Sequence, residues 1–326
     1  MKLFKLFLTY AFLFFLCQKA FSAPGKWVDE VRDGRNFRYY IPANVRLFEK
    51  RPLLVALHGC LHSPEKFVEL AKLEALAESK KIFMVLPEQK LLSNPTKCWN
   101  WFDKKHQNRG EGEPGEIMAG VAWARENYRI DSSRIYLAGV SAGGGMAGII
   151  LAQYPEVFAA GMVASGTMYK AAENMITGKL AASRGSSADP AKIALEGWNE
   201  LKETVRMPSQ LPVLVFHGDK DRACVAKNGQ QAADQFMAFN DLFDDARDNR
   251  SINADPVFST EHQVPDGYAY TRTAYGRSQT DILVEIYLIK GMGHGWSGGK
   301  PGASFNFPLG PDQTEIMWNF LSRYHK

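Results

Sequence analysis

Residues 134–152 read as a strand, a tight turn and a helix, and no other stretch of this 326-residue chain constrains the fold as much. Arg134-Ile135-Tyr136-Leu137-Ala138 is a short, mostly apolar run of the kind that forms a buried strand. Residues 144–152 are small and apolar and suit a buried helix. Between them, Gly139-Val140-Ser141-Ala142-Gly143 fits Gly-x-Ser-x-Gly, a strand-to-helix turn that lifts a serine hydroxyl above a sheet edge. The glycines let the turn close where a side chain would meet the neighbouring strand and helix. The helix N-terminus beneath the serine favours developing negative charge. Five residues alone also fit a glycine-rich connection with a bystander serine. A phosphate-cradling loop is a further alternative, but the Lys-Ser/Thr ending it needs is missing. The nucleophile reading therefore depends on a base, an acid and oxyanion donors in the right order.

The rest of the chain alternates in the same way. Strand-like runs lie at residues 53–57, 82–86, 158–164, 213–216 and 282–289, with helical spacing at 64–80, 115–128 and 312–324. Alternation of this kind predicts a mostly parallel central sheet with helices on both faces. Two segments break the rhythm. Residues 169–212 are long and polar in the middle, and are expected to form helices over the functional edge of the sheet. Residues 241–264 are rich in Asp, Asn and Ser and read as an exposed excursion. No repeat or linker divides the chain, so one domain is expected over residues 23–326.

Residues 1–22 look like an export leader. Lys2 and Lys5 precede an apolar core from Leu6 to Cys17, and Ala20-Phe21-Ser22 places small residues where a signal peptidase reads. Cleavage is expected after Ser22, with Ala20 or Ala23 as neighbouring positions. The apolar run is short for a membrane span. Without the three lysines of this leader the formal charge of +4 falls to +1. A near-neutral chain gives no reason to expect a nucleic-acid partner. Export would leave Cys60, Cys98 and Cys224 in an oxidising compartment, where two should pair and one stay free.

An acyl-transfer serine needs an imidazole to take its proton and a carboxylate to hold that imidazole in the right tautomer. On a strand-turn-helix fold the order is Ser, then Asp or Glu, then His. The acid is expected in Phe216-His217-Gly218-Asp219-Lys220-Asp221, with Asp221 as first choice and Asp219 as its rival. The base is expected at His294, in the glycine-rich run 290–299. His62, His106, His262 and His325 lie in polar, surface-like stretches, and His58 and His217 precede glycines whose turns they would bond. The oxyanion donors are expected to be the N–H of Ala142 and the N–H of Cys60, in the loop after an early strand. His58, Cys60 and His62 lack the further ligands a tetrahedral metal site would need. No metal or cofactor is expected.

These residues also carry a family resemblance. Leu57-His58-Gly59-Cys60, Pro87-Glu88-Gln89, Cys98-Trp99-Asn100-Trp101-Phe102, the Ser141 turn, His217-Gly218-Asp219-Lys220-Asp221 and Gly293-His294-Gly295-Trp296 resemble the polyhydroxybutyrate depolymerase family of esterases. That family stands beside feruloyl and acetyl-xylan esterases in the α/β-hydrolase fold. The likeness runs from about residue 34 to the C-terminus, and Cys-Trp-Asn-Trp-Phe is its specific element. It implies Ser141 as nucleophile, Asp221 as acid, His294 as base and the Cys60 and Ala142 amides as oxyanion donors. It further implies a Cys60–Cys98 disulfide pinning the oxyanion loop to the pocket wall. Trp99, Trp101 and Trp296 are candidates for an aromatic substrate wall. Cys224 departs from the family, which has an aliphatic residue there. The chain runs only about thirty residues past His294, so no separate polymer-binding domain is expected, which favours soluble oligomers or small esters. The expected substrate is a hydroxybutyrate-type ester. A feruloyl or acetylated polysaccharide ester is the alternative. A non-catalytic binding protein would be marked by a missing member of the set, and none is missing.

Overall fold

Buried strands with alternating contacts build two cores. In strand β3 (Arg51–Leu57), Leu53, Val55 and Leu57 enter one core, while Leu54 and Ala56 enter the other. Strand β5 (Ile130–Val140) divides the same way, Ile135 and Leu137 against Tyr136, Ala138 and Val140. Strands apolar on both faces need a cover on both faces, and helices supply it. The computed structural model describes residues 25–45 and 49–326. The expected leader lies outside the described residues.

The other strands are β1 (Lys26–Arg32), β2 (Arg35–Ile41), β4 (Phe83–Pro87), β6 (Ala160–Ala164), β7 (Val213–Gly218), β8 (Phe258–Gln263), β9 (Ala269–Ser278) and β10 (Asp281–Ile289), with a short pair β11 (Trp296–Ser297) and β12 (Asn306–Phe307). Among the described residues ten strands, β3 and β5 included, form one sheet in the order β1-β2-β4-β3-β5-β6-β7-β10-β9-β8. The stretch from β4 to β10 is parallel, and the strands added at each end are antiparallel. The helices are α1 (Pro64–Leu70), α2 (Leu73–Lys80), α3 (Gly112–Asn127), α4 (Ala142–Gln153), α5 (Met175–Arg184), α6 (Pro190–Leu201), α7 (Ala226–Asp245) and α8 (Gln313–Leu321). Helices α3 to α7 contribute to the Leu53 core, and α1, α2 and α8 to the Leu54 core.

From β3 the chain goes to β4 on one side and returns to β5 on the other. Such a reversal opens a crevice at the C-terminal strand ends. It sets the loop after β3, which carries Cys60, beside the turn after β5, which carries Ser141.

Two expectations need correction. The helical stretch at residues 64–80 is two helices, broken where Lys72 takes φ +52°. The break frees the Leu70 and Ala71 carbonyls to accept the Lys300 N–H at 2.9 Å and the Thr314 hydroxyl at 2.7 Å. The segment 241–264 is no plain excursion. It opens with the end of α7, closes with β8, and is anchored by the buried Asp241. That carboxylate accepts the N–H groups of Asn249, Arg250, Ser251 and Ile252. An acidic side chain there organises the turn rather than facing water.

Candidate active site

Ser141 occupies φ +60°, ψ −124°, a conformation that costs a non-glycine residue about 1–3 kcal/mol. The surroundings hold it there. Its N–H donates to Ala164 O at 2.9 Å, and its carbonyl accepts from Gly145 N–H at 3.0 Å. A Cβ at Gly139 would lie 2.0 Å from Gly143 O, and one at Gly143 2.3 Å from Leu57 O. Both glycines are therefore required by close backbone approach. Helix α4 starts at the next residue, so its free N–H groups gather at Ser141.

Strands β7 and β10 are parallel neighbours, with His217 opposite Leu288, so the loops that follow emerge side by side. Lys220 N–H donates to Met292 O at 3.0 Å, and Gly291 N–H to Asp219 Oδ1 at 2.7 Å. Asp219 thus ties one loop to the other. Asp221 is buried, and its Oδ1 accepts the N–H groups of Ala223 and Cys224 at 2.9 and 2.8 Å. Its Oδ2 lies 2.7 Å from His294 Nδ1 and 3.4 Å from His217 Nε2. On the far side of the same ring, His294 Nε2 lies 2.8 Å from Ser141 Oγ. Ser141, Asp221 and His294 are thus brought together, and Asp219 is not among them.

Burial alone would raise the Asp221 carboxyl, but hydrogen bonds from His217 and His294, with the backbone N–H of Cys224, hold it well below the usual carboxylate range. An ionised Asp221 has no proton to give, so Nδ1 of His294 carries the hydrogen and donates it. Nε2 then presents its lone pair to the Ser141 hydroxyl. His217 donates from Nε2 to Cys224 O at 2.7 Å, bonding across its own turn as expected.

Cys60 and Ala142 line the same cavity as Ser141. Cys60 is disulfide-bonded to Cys98, and Cys224 is free and buried. Burial pushes the Cys224 thiol up, and its Sγ contacts Gly166 O at 3.4 Å, so it behaves as a small apolar side chain. The loop around Cys60 is set by His58, which bonds its own turn as expected, and by the groups behind it. His58 is fully buried, and burial lowers its pKa to about 4, so the ring is neutral. Its Nδ1–H donates to Gly59 O at 2.8 Å, and its Nε2 accepts Gln89 N–H at 3.1 Å. In a planar peptide the N–H points opposite the carbonyl. Drawing Gly59 O toward His58 turns the Cys60 N–H the other way. Behind the loop, buried Glu113 accepts Gln89 Nε2 at 2.5 Å and the Asn100 N–H at 2.8 Å. Buried Glu113 and Arg35 were missed because nothing in their local sequence marks a charged residue as internal. With both His58 nitrogens engaged and Cys60 in a disulfide, those residues offer no metal site.

The cavity holds about 620 Å³. Trp101 lines it. Trp99 does not: it is fully buried, donates its indole N–H to His58 O at 2.9 Å, and lies under the Arg35 guanidinium. Trp296 borders the cavity but is also fully buried, its indole N–H on Thr314 Oγ1 and its ring against Phe67. The indole N–H of each needs an acceptor, and a buried one draws the ring into the core. His62, expected at the surface, is buried against Phe305 on the cavity wall. Helix α5 forms another side of the wall, as expected for segment 169–212.

Relatives place this geometry in context. The poly(3-hydroxyalkanoate) depolymerase C of Paucimonas lemoignei is 31% identical over 265 residues, covering 78% of this chain and 59% of the relative. The chain therefore spans under two thirds of that relative's length. A probable acetylxylan esterase A of Aspergillus flavus is 24% identical, covering 79% of this chain and 80% of the relative. Among solved structures, an acetyl xylan esterase from Aspergillus awamori superposes with a TM-score of 0.71 at 17% identity, over 92% of this chain and 99% of that one. The fold is the α/β-hydrolase fold. Residues 36–255 match the family described as esterase PHB depolymerase, and to that family the chain belongs.

Proposed function

We propose that the protein hydrolyses carboxylic esters through a serine-bound acyl intermediate. The observation that carries this reading is the unbroken path from Asp221 Oδ2 to His294 Nδ1 at 2.7 Å and from His294 Nε2 to Ser141 Oγ at 2.8 Å. Ser141 Oγ attacks the ester carbonyl carbon while its proton passes to His294 Nε2. The carbonyl π pair moves to oxygen, and the oxyanion is met by the N–H groups of Cys60 and Ala142. Collapse re-forms the carbonyl and breaks the C–O bond to the alcohol, which leaves with the proton from His294. Water, deprotonated by the same imidazole, then attacks the acyl-serine. The acid departs, and Ser141 recovers its proton. Asp221 stays ionised throughout and stabilises the imidazolium.

The preferred substrate is an ester of the oligo(3-hydroxybutyrate) type, supported by family membership and by an apolar cavity beside Ser141. A feruloyl or acetylated xylan ester is the second reading, favoured by the similarity to a probable acetylxylan esterase. The apolar leader and the Cys60–Cys98 disulfide support export to an oxidising compartment.

Ser141→Ala, assayed with 4-nitrophenyl butyrate, should lose on the order of a millionfold in kcat. Turnover within tenfold of the parent protein would refute the mechanism. Relative rates on hydroxybutyrate oligomers, methyl ferulate and acetylated xylo-oligosaccharides decide between the two substrate classes.

A further inference from the structure

Four residues of α5 line the cavity: Met175, Gly178, Lys179 and Ala182. Their spacing of three, four and seven marks one helical face, so Lys179 lies on the stripe turned to the cavity. The helix stands close to the wall, since a Cβ at Gly178 would come within 2.5 Å of Phe102 Cβ. Lys179 makes no ion pair among the described residues. Among the described residues no Asp, Glu or Arg lines the cavity, and Lys179 is the one permanently charged side chain there. Around it the wall is largely apolar, with Leu61, Phe102, Met175 and Phe305 among its members. Lys179 is exposed, so it stands at the rim of this apolar wall, where an anion can reach it from solvent.

We infer that Lys179 binds the free carboxylate of the substrate, so that the site selects hydroxyacid esters cleaved next to an ionised carboxyl end. The inference rests on the esterase reading and narrows it. A linear hydroxyacid oligomer is neutral along its ester repeats and carries one negative charge, at its carboxyl terminus. That pattern matches an apolar cavity with a single cation. Cleavage of the last ester bond would release an alcohol that still bears this carboxylate. A neutral aromatic or acetyl ester has no group to satisfy Lys179.

The test compares the hydroxybutyrate trimer with its methyl ester, which removes the charge and keeps the shape. The parent protein should favour the free acid by about two- to fivefold in kcat/KM, mainly through KM. The preference should shrink as ionic strength rises to 0.5 M. Lys179→Met should bring the ratio near one, Lys179→Glu should invert it, and Lys179→Arg should keep it. A purely structural role for Lys179 would lower both rates together and leave the ratio intact. Equal rates for acid and methyl ester in the parent, or a ratio unmoved in Lys179→Met, would overturn the inference while leaving the esterase reading in place. A preference confined to xylo-oligosaccharides carrying a uronic acid would overturn it as well. Failure to turn over even 4-nitrophenyl butyrate would instead remove the esterase reading, and this inference with it.

Discussion

Replacing Asp221 by Asn tests the orienting role of this carboxylate most directly, because the structure dictates what the amide must do. The carboxylate faces four donors: Ala223 and Cys224 N–H on Oδ1, and His294 Nδ1 and His217 Nε2 on Oδ2. An asparagine has one oxygen for these. If it keeps the two backbone donors, its NH2 points at two ring nitrogens. His294 then moves its hydrogen from Nδ1 to Nε2 to accept from the amide, and Nε2 can no longer take the Ser141 proton. The expected loss is on the order of 10⁴-fold in kcat, about 5.5 kcal/mol, with KM nearly unchanged. Folding stability should fall by only about 1–3 kcal/mol, since an isosteric amide fills the same space and desolvating it is easier. The assay is steady-state hydrolysis of 4-nitrophenyl butyrate, with circular dichroism to confirm the fold. Asp219→Asn is the partner measurement. Its oxygen can still accept the Gly291 N–H, so the change should stay within a few-fold. A folded Asp221→Asn protein that keeps more than a tenth of kcat, or an Asp219→Asn protein that loses more, would refute the orienting role of Asp221.

Other outcomes follow from the same geometry. Cys60→Ser removes a bond joining residues 38 apart, and should cost about 4 kcal/mol in urea unfolding; the parent treated with reductant should show the same loss. His58 titrates at about 4 in the fold against 6.5 when unperturbed, so the unfolded chain binds its proton more readily. Stability from this group is complete above pH 6.5 and falls by about 3 kcal/mol as the pH drops toward 4, and a His58→Asn protein should lack that slope in urea midpoints. Asp221, held low, adds a further loss that begins only below about pH 4. Gly143→Ala drives a Cβ to 2.3 Å from Leu57 O and should destabilise by more than about 4 kcal/mol, read as a collapse in soluble yield or melting temperature.

Local chemistry made most of the site legible in the sequence. The Ser141 turn announces itself because only small residues survive so close a backbone approach. The glycine-rich run around His294 is similarly revealing. Parallel strands buried on both faces appear as unbroken apolar runs, which is why the apolar runs lie close to the true limits of β3, β4, β7 and β10, whereas β5 starts four residues before its run because Asp131-Ser132-Ser133 breaks the apolar pattern. Strands β8 and β9 were not, because at the open edge of the sheet a strand such as Phe258–Gln263 carries mostly exposed polar side chains and shows no apolar pattern. Helix α7 was missed because its buried face includes Asn228, Gln231, Gln235 and Asn240, residues that read as surface.

What the sequence settled by itself was the fold class and the tight Ser141 turn, and it supplied the residue types that acyl transfer would need, since each is written into a few adjacent positions. Tertiary structure alone decided between Asp219 and Asp221, for both lie within one short loop and only the approach of β10 selects which carboxylate meets His294. It also withdrew Trp99 from the cavity and brought the neutral His58 beneath the Cys60 peptide. Those outcomes depend on which distant group supplies an acceptor in the dry interior, and a linear pattern of side chains carries no record of that.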